Sequence, residues 1–140
     1  MFYVDTSVLV LALTPEAATG RVLAWLGLHP AGGLLTSDWV VTEFSAALSI
    51  KLRTGAIDAG YRARTLAQFQ RISMTKFATI SITPATFRTA ARFADQYASG
   101  LRAGDALHLA LAADQAATIA TLDTRLVVAA KALGIASMPL

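Results

Sequence analysis

Cysteine is absent from the 140 residues, which excludes disulfides and thiolate metal sites. Charge is scarce: charged side chains make up 15% of the chain, and only nine residues are acidic. Apolar as the chain is, no stretch reads as a membrane span, because the run from Phe2 to Leu13 is too short and contains Asp5. That run also lacks the basic start and small-residue cleavage site of a signal peptide, so a cytoplasmic location is expected. A glycine-rich nucleotide loop is missing too, since Gly32-Gly33 leads into a strand rather than a helix. Without repeats, linkers or low-complexity tracts, residues 1–140 read as one domain.

What is present is mostly apolar, at 55%, and much of it is alanine, as at 46–48 and 110–113. Alanine favours helices and their close contact. The length is enough to bury a core. Apolar surface left over would suit a partner or a second copy of the chain. The net charge of +3 is compatible with an anionic partner such as nucleic acid but does not require one.

Along the chain, Phe2-Tyr3-Val4 is a strand that runs into Asp5, and Thr6 to Leu13 is a short helix. Thr14 and Pro15 read as the cap and first residue of a second helix, with Glu16 in its first turn and its end near Leu28. Leu34-Leu35-Thr36 is a strand, and Asp38 caps a longer helix to about Arg53 with Val41, Phe44, Leu48 and Leu52 as its buried stripe. Asp58 opens another helix, which ends before a strand over Ala78 to Ile82. Thr83-Pro84 starts a helix to about Ala98, and Ala103 to Ala117 forms the next. A strand from Thr118 to Leu122 ends at Asp123, a helix follows from Thr124 to about Leu133, and Ile135 to Met138 is a last strand. Strands that alternate with helices predict an α/β fold, a three-layer α/β/α sandwich around a parallel sheet.

In such sheets ligands bind beyond the carboxyl ends of the strands. Asp5 and Asp123 each follow a strand directly, and Asp105 lies near the start of a helix facing the same edge. Glu43 is one to two turns into its helix, and its longer side chain can reach where an aspartate could not. Four acids around one cleft repel one another unless a cation intervenes. An all-oxygen donor set suits a hard ion, Mg²⁺ or Mn²⁺. Each acid also has a plainer reading: Asp5 and Asp123 as helix caps, Asp105 as a first-turn acid favoured by the helix dipole, and Glu43 as a solvated helix residue. Composition and spacing alone leave an α/β domain with a metal site as one option.

The stretch Tyr3-Val4-Asp5-Thr6-Ser7-Val8-Leu9 resembles the opening of PIN-domain ribonucleases. Thr42-Glu43-Phe44 matches that family's helix glutamate, Gly104-Asp105-Ala106-Leu107-His108-Leu109-Ala110 resembles its third motif, and Thr121-Leu122-Asp123 its fourth. Order, spacing and length resemble the VapC-type toxins of bacterial toxin–antitoxin pairs over nearly the whole chain. The resemblance implies a PIN-like fold and a metal-dependent endoribonuclease. Asp5, Glu43, Asp105 and Asp123 would hold one or two Mg²⁺ or Mn²⁺ ions. Ser7 would bond a carboxylate or a metal-bound water, and Thr121 would support the last acid. It also implies an RNA substrate, a homodimer, and an antitoxin partner whose tail enters the acidic groove. The alternative within the same fold is an inactive RNA- or protein-binding module.

Other residues get plainer readings. Asp38 is a helix cap, and Asp114, nine residues beyond Asp105, should face the other way. His108 reads as a packed or solvated helix histidine, although it shares a face with Asp105. Arg62, Arg64, Arg71, Arg88, Arg92 and Arg102 could guide RNA or simply solvate helix faces, and Trp39 and Tyr97 could stack on bases or pack. A phosphatase built on Asp5 would want a second aspartate where Ser7 stands.

Overall fold

The computed structural model describes residues 1–15 and 18–140. Among these, five parallel strands form one sheet and seven α-helices pack around it. The elements are β1 (Phe2–Val4), α1 (Thr6–Leu13), α2 (Thr19–Gly27), β2 (Leu34–Ser37), α3 (Asp38–Arg53), α4 (Ala59–Lys76), β3 (Phe77–Ile80), α5 (Pro84–Ala94), a 3₁₀ turn (Tyr97–Ser99), α6 (Ala103–Asp114), β4 (Thr118–Thr121), α7 (Thr124–Ala132) and β5 (Ser137–Pro139). This is the α/β arrangement expected from the alternation of elements, and it agrees with the PIN-like fold that the resemblance implied.

The sheet order is β3-β2-β1-β4-β5. The chain moves outward from β1 to β2 and β3, then returns past β1 to add β4 and β5. Right-handed crossovers therefore place α1 to α4 on one face and α5 to α7 on the other. The reversal lies between β1 and β4, where Phe2, Tyr3 and Val4 pair with Thr118, Ile119 and Ala120. That is the crevice in which open α/β sheets bind ligands. The three central strands are buried on both faces: Tyr3, Val4, Leu34, Ile119 and Ala120 have no exposed surface. Val8, Val22, Phe44, Leu48 and Leu109 complete the centre of the core.

Several boundaries differ from expectation for local reasons. The second helix starts at Thr19, not Pro15, because the Thr14 hydroxyl closes α1 by bonding Val10 O (2.7 Å), and Thr19 bonds back to Leu11 O and Thr14 O. Glu16 lies outside the described residues. The buried stripe of α3 is Val40, Phe44 and Leu48, and Val41 is exposed. Two adjacent valines satisfy the apolar pattern equally, and only packing chooses between them. Ser37, not Asp38, occupies the N-cap of α3, and exposed Asp38 is its first residue. Strand β3 begins at Phe77, directly at the end of α4, in register with Leu34. Helix α5 stops at Ala94 and α6 at Asp114, while β5 starts at Ser137. Among the described residues no helix is long and apolar enough to cross a membrane.

Candidate active site

Asp5 leaves the end of β1 and caps α1. Its Oδ1 accepts from Ser7 N (2.8 Å), Ser7 Oγ (2.5 Å) and more distantly Val8 N (3.4 Å), and Oδ2 accepts from Thr121 Oγ1 (2.6 Å). These donors sustain a carboxylate that is only 4% exposed. The two hydroxyls have further duties. Ser7 Oγ accepts from Leu122 N (3.0 Å) and Thr121 Oγ1 from Asp123 N (3.0 Å). Ser7 and Thr121 thus stitch the start of α1 to the β4–α7 turn, which brings Asp5 and Asp123 to one edge of the sheet.

Asp123 caps α7 through Arg125 N (2.8 Å), and the Arg125 guanidinium reaches its other oxygen at 3.3 Å. Burial pushes the Asp123 carboxyl up, but the side-chain bond from Arg125, its backbone N–H and its charge outweigh that and hold the pKa below the ordinary value. Asp105 behaves oppositely. Burial, reinforced by the negative charge of Asp123, raises its pKa against the opposing backbone N–H near Arg102. Asp105, Thr124 and Arg125 line a cavity of about 340 Å³.

Glu43 reaches the site from α3. Its Oε2 accepts from Thr6 Oγ1 and from His108 Nε2 (2.7 Å). Burial raises its pKa, but the hydrogen bond from His108, then those from Thr6 and the Trp39 indole, turn the net shift downward. Oε1 faces Gly104, where an added Cβ would sit 2.9 Å from it and 3.4 Å from the Trp39 ring. Glu43, Thr6, Ser7 and Leu122 border a second, apolar-walled groove of about 590 Å³.

The structure joins Asp5 to the Asp123 backbone through Thr121 and sets Asp105 against the charge of Asp123, while Glu43 bonds Thr6, the residue after Asp5. It does not draw them into a closed ligand shell, since no group of three His, Asp or Glu side chains poised to hold a metal is found among the described residues. The reason is visible in the bonds: Asp5 is held by Ser7 and Thr121, Glu43 by Thr6 and His108, and Asp123 by Arg125. Asp114 bonds Thr86 Oγ1 (2.7 Å) on α5, so its exclusion agrees with the structure. His108 is buried and bonded at both ring nitrogens, so the packed reading holds and the solvated one does not. Arg62 bonds Ser49 on α3 (3.3 Å), whereas Arg64, Arg71, Arg88, Arg92, Arg102 and Tyr97 are exposed. The sequence reading gave no site role to Tyr3, Thr6, Gly104 or Arg125, and it read Trp39 as a base-stacking or packing residue. Thr6 and Gly104 each adjoin a predicted acid, which was the available signal.

Two expectations follow. In metal-free protein, Asp105→Asn should raise the melting temperature at pH 7 by about 1–3 °C. The sign comes from the raised pKa: the protonated form is favoured in the fold, so stability is greatest below the unfolded-state value near pH 4 and falls as pH climbs through the folded value. The gain should thus vanish near pH 4, as melts across pH will show. Gly104→Ala tests the second contact. Helix propensity favours alanine by up to about 1 kcal/mol, so the fold should hold or gain slightly. The new methyl should nevertheless displace Glu43 and weaken Mn²⁺ binding, measurable by calorimetry, about tenfold.

The PIN domain profile matches residues 2–132. No curated protein sequence matches the chain. Among solved structures, FitAcB from Neisseria gonorrhoeae is similar at 21% identity and a TM-score of 0.73, covering 99% of this chain and 96% of that one. VapC20 of Mycobacterium tuberculosis, described as a sarcin-ricin loop cleaving toxin, is similar at 16% identity and a TM-score of 0.74, with both chains covered completely. VapBC2 from Rickettsia felis, bound to a fragment of its promoter DNA, is similar at 12% identity and a TM-score of 0.66, covering 100% of this chain and 99% of that one. These likenesses concern the fold, and it is the profile, spanning every element from β1 to α7 and all four acids, that makes this chain a member of the PIN-domain family.

Proposed function

We propose that the chain is a Mg²⁺- or Mn²⁺-dependent endoribonuclease and the toxin of a toxin–antitoxin pair. The observation that carries this reading is the bonded assembly at the sheet crevice: Asp5, Ser7, Thr121 and Asp123 in one chain, with Glu43 joined to it through Thr6. The donor set fits a hard ion. All candidate ligands are carboxylates, and Asp105 carries a charge that burial and then its neighbour Asp123 make unfavourable and that a cation would relieve. Asp5, Glu43, Asp105 and Asp123 would hold one or two such ions. Such an ion, once bound, would supply a water that is nucleophilic near neutral pH and would stabilise charge on the phosphodiester.

The chain's own residues do the rest. Ser7 and Thr121 fix the Asp5 carboxylate by donating to both of its oxygens. Arg125, exposed beside Asp123, is placed to meet a phosphate once the acids are neutralised. Partners are proposed on the same footing. Similar folds are described as a toxin–antitoxin complex from Klebsiella pneumoniae and a member of the VapBC family of toxin–antitoxin systems. An antitoxin segment with a basic residue would suit the acidic edge, and a homodimer would cover exposed apolar groups such as Phe87 and Val128.

Purified protein incubated with structured RNA and Mg²⁺ tests the reading. Cleavage that stops on chelation is expected; no cleavage, or cleavage that persists in Asp5→Asn, refutes it. The inactive-module alternative predicts instead that calorimetry finds no Mg²⁺ or Mn²⁺ binding.

A further inference from the structure

We infer that His108 is a positioning residue, which couples the sheet to the Glu43 carboxylate through its Nε2–H. The inference rests on the proposed role of Glu43 in holding an ion. His108 is 3% exposed, and both ring nitrogens are engaged: Nε2 lies 2.7 Å from Glu43 Oε2 and Nδ1 2.9 Å from Tyr3 OH. An ionised carboxylate only accepts, so Nε2 carries the hydrogen. In the neutral ring Nδ1 then accepts from the Tyr3 hydroxyl, whose oxygen accepts from Ser37 Oγ at 2.9 Å. Tyr3 and Ser37 have no exposed surface. The donors thus run in one direction, from Ser37 through Tyr3 and His108 to Glu43, and every buried polar atom in the series has a partner.

The four residues come from β2, β1, α6 and α3, so the series crosses the molecule. A glutamate on a helix face ordinarily samples several rotamers, and freezing it costs conformational entropy. Here Thr6 and His108 converge on the same oxygen, and Gly104 leaves room for the other. Oε1 is thereby turned toward the start of α6, where Asp105 stands. Ordering is complete before an ion arrives, which is how preorganisation raises affinity.

Two amide substitutions separate this role from simple packing. The glutamine amide nitrogen falls near the position of Nε2, and the asparagine amide nitrogen near Nδ1. His108→Asn should weaken Mn²⁺ binding, measured by calorimetry, about 10–100-fold. It should lower kcat on RNA by a similar factor and leave KM within about twofold. His108→Gln should restore both to within about threefold of wild type, although both variants lose core packing and melt earlier. Equal effects of the two substitutions, or no effect of either, would overturn the inference. Nitrogen NMR of the wild-type ring gives a readout independent of any variant: Nε2 is expected to be protonated, and a bare Nε2 overturns the assignment. Wild-type protein that neither binds Mn²⁺ nor cleaves RNA would instead refute the nuclease reading, with the ring assignment still decided by the NMR measurement.

Discussion

Asp5→Asn is expected to reduce RNA cleavage by about a thousandfold or more, some 4 kcal/mol of transition-state stabilisation, while the protein stays folded. The separation follows from the two jobs of this side chain. As a cap, Asp5 accepts from Ser7 N and Val8 N through Oδ1, and asparagine caps helices about as well as aspartate. Thr121, bonded to Oδ2, is a hydroxyl and can accept from an amide as readily as it donates to a carboxylate. What asparagine cannot supply is the negative charge, which the proposed cation site would need. Asp5→Ala should lose activity equally and also about 0.5–2 kcal/mol of stability, because the cap goes with the charge. Single-turnover cleavage at saturating Mg²⁺, paired with thermal melts, reads both quantities. Asparagine activity within tenfold of wild type would remove Asp5 from the mechanism.

The largest loss of stability is expected from Phe44→Ala, about 3–5 kcal/mol. Phe44 has no exposed surface and stacks on Phe69 with ring centroids 4.1 Å apart and planes 11° from parallel. The pair joins α3 to α4, and truncation would leave a void flanked by Val40 and Leu48, which form the same buried stripe. For a chain of this length each kcal/mol shifts the melting temperature by about 2–4 °C, so a fall of roughly 10–15 °C is expected. Urea unfolding followed by circular dichroism measures it directly. A loss under 1 kcal/mol would mean that the two helices repack. Because Phe44 adjoins Glu43, activity per folded molecule should fall as well.

The parts of the fold that could be read from sequence were those with a local cause. An apolar triplet that delivers one aspartate located β1 and Asp5, and Thr83-Pro84 located α5, where the structure has a capping box. The choice between Val40 and Val41 needed tertiary packing, as did the end of α6. The roles of His108 and Tyr3 were beyond reach for a stronger reason. Their bonds join residues 65 and 105 positions apart. No pattern in a single chain encodes which buried hydroxyl meets which ring nitrogen. The hydrogen bonds around the acids were equally out of reach. Sequence grouped four acids, whereas folding gives each of Asp5, Glu43 and Asp123 a protein donor of its own.

That division of labour bears on how such a site would decay once selection on it relaxed. Asp5 and Asp123 start helices, so drift would keep an aspartate or asparagine in both places even after the chemistry was lost. Asp105 starts nothing, and its charge sits against burial and a like-charged neighbour. It is the acid a non-functional descendant would shed first, because the fold loses least with it.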